Sequence, residues 1–190
     1  MLNKIAFQNR MKYFQLYEKV TPHQMKGMFA IIDEFEKRGL TDLRWLAYIL
    51  ATVYHETGKT FEPIEEVGKG NKRPYGKKLK QSGEVYSEPN ELYYGRGLVQ
   101  LTWYENYDKF SNIVDEDLLQ MPAALLNMDI SIKVLFEGMI KGLFTGRKLS
   151  DYFNAKKEDW VNARKIINGK DQASKIAVYA KNYLSAIKYS

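Results

Sequence analysis

The chain has 190 residues, of which 45% are hydrophobic and 14% aromatic, with a formal net charge of +6 and no cysteine. That length buries one substantial core, so a single domain over residues 1–190 is expected, while the missing cysteines exclude disulfides and thiolate metal sites. The basic balance favours an anionic partner, whether nucleic acid, acidic lipid or a bacterial wall polymer, without choosing among them.

The first ten residues hold no apolar run of signal-peptide length, and charges interrupt every apolar run before membrane-spanning length. The expectation is a chain made in the cytoplasm that neither exports itself nor inserts into a membrane. Thr21-Pro22 caps a first amphipathic helix in which Met25, Met28, Phe29, Ile32 and Phe35 recur at helical spacing up to Gly39. Thr41 or Asp42 caps the next, whose stripe of Leu43, Leu46, Ile49, Leu50 and Val53 runs directly into His55-Glu56. Over residues 58–92 the periodicity collapses into Gly, Pro and Lys, which predicts a long basic excursion with a short hairpin. Leu98, Gln100 and Thr102 alternate with Val99, Leu101 and Trp103 as in a short strand, and Thr102 with Glu105 matches a capping box for a following helix. A helix over residues 129–144 stopped by Gly146, and a last one over 171–187 that buries Ile176, Ala180, Leu184 and Ile187, complete the reading.

Glu56 lies seven positions after Ile49 and three after Val53, so it projects from the same side as the buried stripe. A partly desolvated carboxyl resists ionisation, as a general acid must; a helix-ending carboxylate paired with a lysine fits the spacing equally well. Glu66, beside Glu65 and near Glu62, reads as one of a surface cluster unless it partners Glu56, since glycoside hydrolysis needs two carboxyls. The segment from Tyr93 to Thr102 is rich in groups that bind sugars, namely Tyr94, Arg96 between glycines, and Gln100, although Tyr93 fits a core position better. His23 and His55 are the only histidines, too few for a histidine-rich metal site, and His55 reads as a hydrogen-bonding neighbour of Glu56. No phosphate loop or nucleophile elbow is present, and the basic run lacks the interleaved aromatics of a single-strand binder.

His55-Glu56-Thr57-Gly58, Ile64-Glu65-Glu66-Val67-Gly68, the block Tyr93-Tyr94-Gly95-Arg96-Gly97-Leu98-Val99-Gln100-Leu101-Thr102 with Asn106-Tyr107, and Ile166-Ile167-Asn168-Gly169 together resemble glycoside hydrolase family 19, the chitinases and related endolysins. The resemblance implies a mainly α, lysozyme-like α+β fold cut by a deep groove, and inverting cleavage of β-1,4 bonds beside N-acetylhexosamine. It puts Glu56 on the general acid, Glu66 on the general base with Glu65 competing, and Thr102 on a hydroxyl that helps hold the attacking water. Gln100, Asn106 and Asn168 fall on substrate-contacting positions, and His55, Tyr94 and Arg96 are assigned to substrate beside them. An inverting pair of carboxyls is about 6.5–9.5 Å apart. Where many chitinases carry an arginine in the last helix, this chain has Lys175, which keeps the charge but loses the bidentate fork.

The function expected is a peptidoglycan hydrolase of muramidase type: a monomeric endolysin that needs neither metal nor cofactor, binds the anionic envelope rather than nucleic acid, and reaches the wall through a holin. A chitinase is the alternative. A non-catalytic glycan binder, a lytic transglycosylase and a helical nucleic-acid binder are the other classes the sequence admits.

Overall fold

The computed structural model describes residues 2–11, 13 and 20–188. Among them run six α-helices, α1 Lys4–Met11, α2 Pro22–Lys37, α3 Leu43–Glu56, α4 Tyr104–Val114, α5 Met128–Lys141 and α6 Ala173–Lys188. Two antiparallel strand pairs accompany them: β1 Ile64–Glu65 with β2 Arg96–Gly97, and β3 Phe153–Asn154 with β4 Lys157–Glu158. The chain forms two compact units, one made of the residues up to Phe61 together with those from Gly138 onward, the other of Glu62–Glu137. No helix among the described residues is long and apolar enough to cross a membrane.

In the first unit α3 is the central element. Every residue from Leu46 to Tyr54 is buried, and α3 lies along α6, where Tyr54 meets Tyr179 edge-on at 4.8 Å between ring centroids. Such pairs contribute about 0.5–1.5 kcal/mol beyond the area they bury. Asp42 rather than Thr41 caps α3, its carboxylate accepting from the Arg44 amide at 3.0 Å. On α2 the capping box at Thr21 is reciprocal, the Gln24 amide donating to Thr21 Oγ1 at 3.2 Å and the Thr21 amide to Gln24 Oε1 at 2.8 Å. Gln24 Nε2 also donates to the Lys59 carbonyl at 3.0 Å, tying α2 to the turn that follows α3. Gly27 permits this approach, because a Cβ there would lie 2.3 Å from the Phe61 carbonyl oxygen. The turn that ends at Glu56 is thus clamped by its neighbour helix.

One boundary and one buried position differ from the sequence reading. Gly142, at φ +75°, ends α5 well before Gly146, and the ring of Phe144 folds back against Gly138. On α6 it is Tyr183 that is fully buried, while Leu184 is half-buried.

The second unit is held by turns and polar contacts around an aromatic cluster. Tyr93 packs against Tyr86, Tyr104 and Tyr107 at centroid distances of 5.5, 5.3 and 5.0 Å. The excursion over 58–92 is laid down as a 3-10 turn at Pro74–Gly76 and a tight hairpin closed by the Leu79–Val85 bridge. The alternating strand expected over 98–103 is instead a turn: β2 stops at Gly97, and Leu101 pairs back onto Arg96, its amide donating to the Arg96 carbonyl at 2.9 Å. Positive φ at Gly97 (+86°) and Gln100 (+52°) reverses the chain there. The Thr102–Glu105 capping box also fails to form. Trp103 is the N-cap of α4 with no side-chain cap, and Glu105 accepts from the Gln81 amide at 2.7 Å, so its carboxylate braces the excursion.

Candidate active site

Glu56 occupies the last turn of α3, where the chain must leave the helix. Thr57 makes that exit rigid: its buried hydroxyl donates to the Val53 carbonyl at 2.7 Å and accepts from the Phe61 amide at 3.0 Å. Arg164, on the 3-10 turn Asn162–Ile166, is itself buried and donates from Nη1 to Glu56 Oε1 at 2.5 Å. Its Nε donates to the Asp171 carbonyl at 3.1 Å, fixing the plane of the guanidinium. The sequence reading rested on burial of Glu56 alone; the structure adds a buried cation directly on it. That cation is not Lys175, which stands exposed on α6. Oε1 is therefore taken, and Oε2 has no hydrogen-bond partner among the described residues.

His55, half-buried beside this pair, is pushed below its ordinary imidazole value, chiefly by burial, with Arg164 and Lys175 acting in the same direction and Glu56 opposing. It is neutral near pH 7. The Tyr48 hydroxyl is buried with no hydrogen-bond partner among the described residues, and burial pushes the phenol well above its ordinary value. It serves as a packed ring, tilted against Phe153 at 5.5 Å.

In the second unit the two competing glutamates part at the end of β1, of which Glu65 is the last residue and which Glu66 follows. Glu65 pairs across to Arg96 in the β1–β2 register. Its Oε1 accepts from the Tyr94 hydroxyl at 2.8 Å and from Arg96 Nε at 3.2 Å, and Lys69 Nζ lies 3.6 Å from Oε2. The Tyr94 hydrogen bond, followed by Arg96 and Lys69 against the opposing effect of burial, holds Glu65 below the ordinary carboxylate value. Among the described residues Glu66 has only neutral donors. The Tyr75 hydroxyl donates to Oε1 at 3.0 Å and the Gly95 amide to Oε2 at 3.0 Å, while the Glu66 amide donates to the Gly95 carbonyl at 2.7 Å.

Tyr94 and Arg96, which the sequence reading assigns to substrate, are buried bracing groups. The Arg96 guanidinium stacks 3.6 Å from the Tyr94 ring centroid and donates from Nη1 to the Leu92 carbonyl at 2.9 Å and the Tyr107 hydroxyl at 3.0 Å. Gln100 is half-buried, its Nε2 donating to the Ile64 carbonyl at 3.0 Å and its Oε1 facing Gly95, where any Cβ would come within 2.8 Å. Asn106 Nδ2 donates to the Thr102 carbonyl at 2.9 Å; with no cap to form, the Thr102 hydroxyl has no hydrogen-bond partner among the described residues. Asn168, exposed in the first unit, accepts from the Gly169 amide at 2.8 Å.

Sequence reasoning missed Arg164 and Tyr75. A signal for Arg164 was present, since it is the one arginine set among Ala163 and Ile166 just before Ile166-Ile167-Asn168-Gly169. Tyr75 had only a Pro-Tyr-Gly turn among lysines to mark it. Among the described residues, no group of three or more His, Asp or Glu side chains is placed to hold a metal ion.

No family model matches the sequence, and no curated protein matches it significantly. Solved structures do match the fold. Chitinase C from Streptomyces griseus superposes with a TM-score of 0.67 at 18% identity, over 100% of this chain and 77% of that one. A family 19, class IV chitinase from Zea mays gives 0.61 at 16% identity over 98% of this chain and 91% of that one. A bacterial family 19 chitinase gives 0.58 at 16% identity, over 100% and 96%. At these identities the likeness is one of fold, and the chain has the mainly α, lysozyme-like fold of the family 19 chitinases.

Proposed function

We propose that the protein is a glycoside hydrolase that cuts β-1,4 bonds of an N-acetylhexosamine polymer by inversion, with Glu56 as acid and Glu66 as base. The observation that carries the reading is the contrast between the two carboxyls. Arg164 on Oε1 of Glu56 leaves Oε2 to give its proton to the glycosidic oxygen and stabilises the carboxylate that remains after the transfer. Glu66 meets only uncharged donors, each oxygen keeping a lone-pair site with which to take a proton from water. That water attacks the anomeric carbon as the bond to the leaving oxygen breaks, so the new reducing end carries the opposite anomer. The Thr102 hydroxyl, without a partner among the described residues, is available to hold this water. Glu65 is the poorer base because the Tyr94 hydrogen bond, and after it Arg96 and Lys69, lower its affinity for a proton.

Bacterial peptidoglycan is the proposed polymer and endolysin the proposed role. Lys72, Arg73 and Lys77 are exposed and form no side-chain hydrogen bond or ion pair among the described residues, a surface suited to a glycan bearing peptide carboxylates. Chitin is the second reading, favoured by the chitinase names of the structural neighbours. Clearing of permeabilised cells, set beside release of sugar from chitin oligomers, separates the two. Loss of both activities in Glu56→Gln supports the assignment of the acid, and undiminished activity in that variant refutes it.

A further inference from the structure

The basic excursion turns a tyrosine inward at its 3-10 turn. Tyr75 is half-buried while Lys72, Arg73 and Lys77 around it are exposed, and its hydroxyl reaches Glu66 Oε1 at 3.0 Å. Three constraints set its direction. Pro74 opens the 3-10 turn with φ fixed by its ring. Gly70 and Gly76 lie so close that a Cβ on Gly76 would fall 1.9 Å from the Gly70 carbonyl oxygen, which pins the two ends of the turn together. The Tyr75 ring then rests edge-on against Trp103 at 5.6 Å and 75°, and the Trp103 amide is tied to the Tyr93 carbonyl at 2.8 Å. Burial, and after it the bond to Glu66, raises the phenol above its ordinary value, so the hydroxyl keeps its proton and remains a donor.

We propose that Tyr75 is a positioning residue for Glu66: with the Gly95 amide on the other oxygen, its hydroxyl fixes the carboxylate plane and so the lone pair that receives the proton of the attacking water. The inference rests on Glu66 being the base. A base held at one oxygen only rotates about its terminal torsion, and misdirection of a reacting group lowers the rate of the chemical step without weakening substrate binding. The excursion is therefore a strap that orients the base, and its lysines surround that strap.

Tyr75→Phe keeps the ring and its contact with Trp103 and removes only the hydroxyl. On solubilised peptidoglycan and on chitin oligomers, kcat is expected to fall about 10- to 100-fold, with KM within about twofold and the same thermal midpoint. In a Glu66→Gln background the same change is expected to have no further effect, because the group it orients is gone. Wild-type kcat in Tyr75→Phe beside an inactive Glu66→Gln overturns the role of Tyr75 and leaves the base standing. A raised KM at unchanged kcat overturns it in favour of substrate contact, and an equal further loss in the Glu66→Gln background overturns it in favour of action elsewhere. Full activity in Glu66→Gln removes the base itself.

Discussion

Glu56 ends a 14-residue helix with a packed interior and is held by a buried guanidinium, whereas Glu66 follows a two-residue strand and is held by a phenol and a backbone amide. The first carboxyl is supported by hydrophobic burial and one charge pair, the second by a chain of turns with polar ties. A helix end supported by a core delivers a side chain whose position survives loss of one polar contact. A strap delivers one whose aim depends on each contact. The proposed acid should therefore resist changes around it until the charge balance is broken, and the proposed base should respond to changes that leave folding intact.

The largest expected effect is on rate. Glu56→Gln and Glu66→Gln should each lower kcat about 10²–10⁴-fold, while Glu65→Gln should keep most of it, measured on the same oligomers. An inactive Glu65→Gln with an active Glu66→Gln would reverse the assignment of the base. Next is stability: Arg164→Ala leaves Glu56 without its buried partner and should cost about 3–5 kcal/mol, read as a shift of the denaturant midpoint. Arg96→Lys keeps the charge in the second unit but loses the fork between Glu65, Leu92 and Tyr107. It should cost about 1.5–3 kcal/mol for each charge-assisted bond not remade. Thr57→Val removes the hydroxyl that satisfies the Phe61 amide, and should cost about 1–3 kcal/mol in the same titration.

The smallest effect concerns pH. His55 is held below its ordinary value, so the folded state binds fewer protons than the unfolded chain between the two values. Stability is then full above about pH 6.5 and is lost as pH falls through that value toward the lower folded one. His55→Gln should flatten that part of a plot of thermal midpoint against pH, and an unchanged slope would remove His55 as its source.

Much of the first unit was legible in the sequence because its signals are local. Thr21-Pro22, the apolar spacing of α2 and α3 and the phase of Glu56 each involve residues within a few turns of one another. What escaped was relational. Arg164 reaches Glu56 across 108 positions, and nothing in either neighbourhood states the pairing. The Thr102–Glu105 pattern is a sound capping box, yet Gln81 offers Glu105 a competing donor from the excursion. The alternation over 98–103 is a real period of two, but Gly97 and Gln100 adopt positive φ and turn the chain before a strand can form.

The anomer of the first product is the most direct test of an inverting hydrolysis by two carboxyls. NMR of the new reducing end, recorded before mutarotation during cleavage of a β-1,4-linked N-acetylhexosamine oligomer or of peptidoglycan, should show the α form first. A β form first, or an anhydro end in place of a reducing one, would contradict the account.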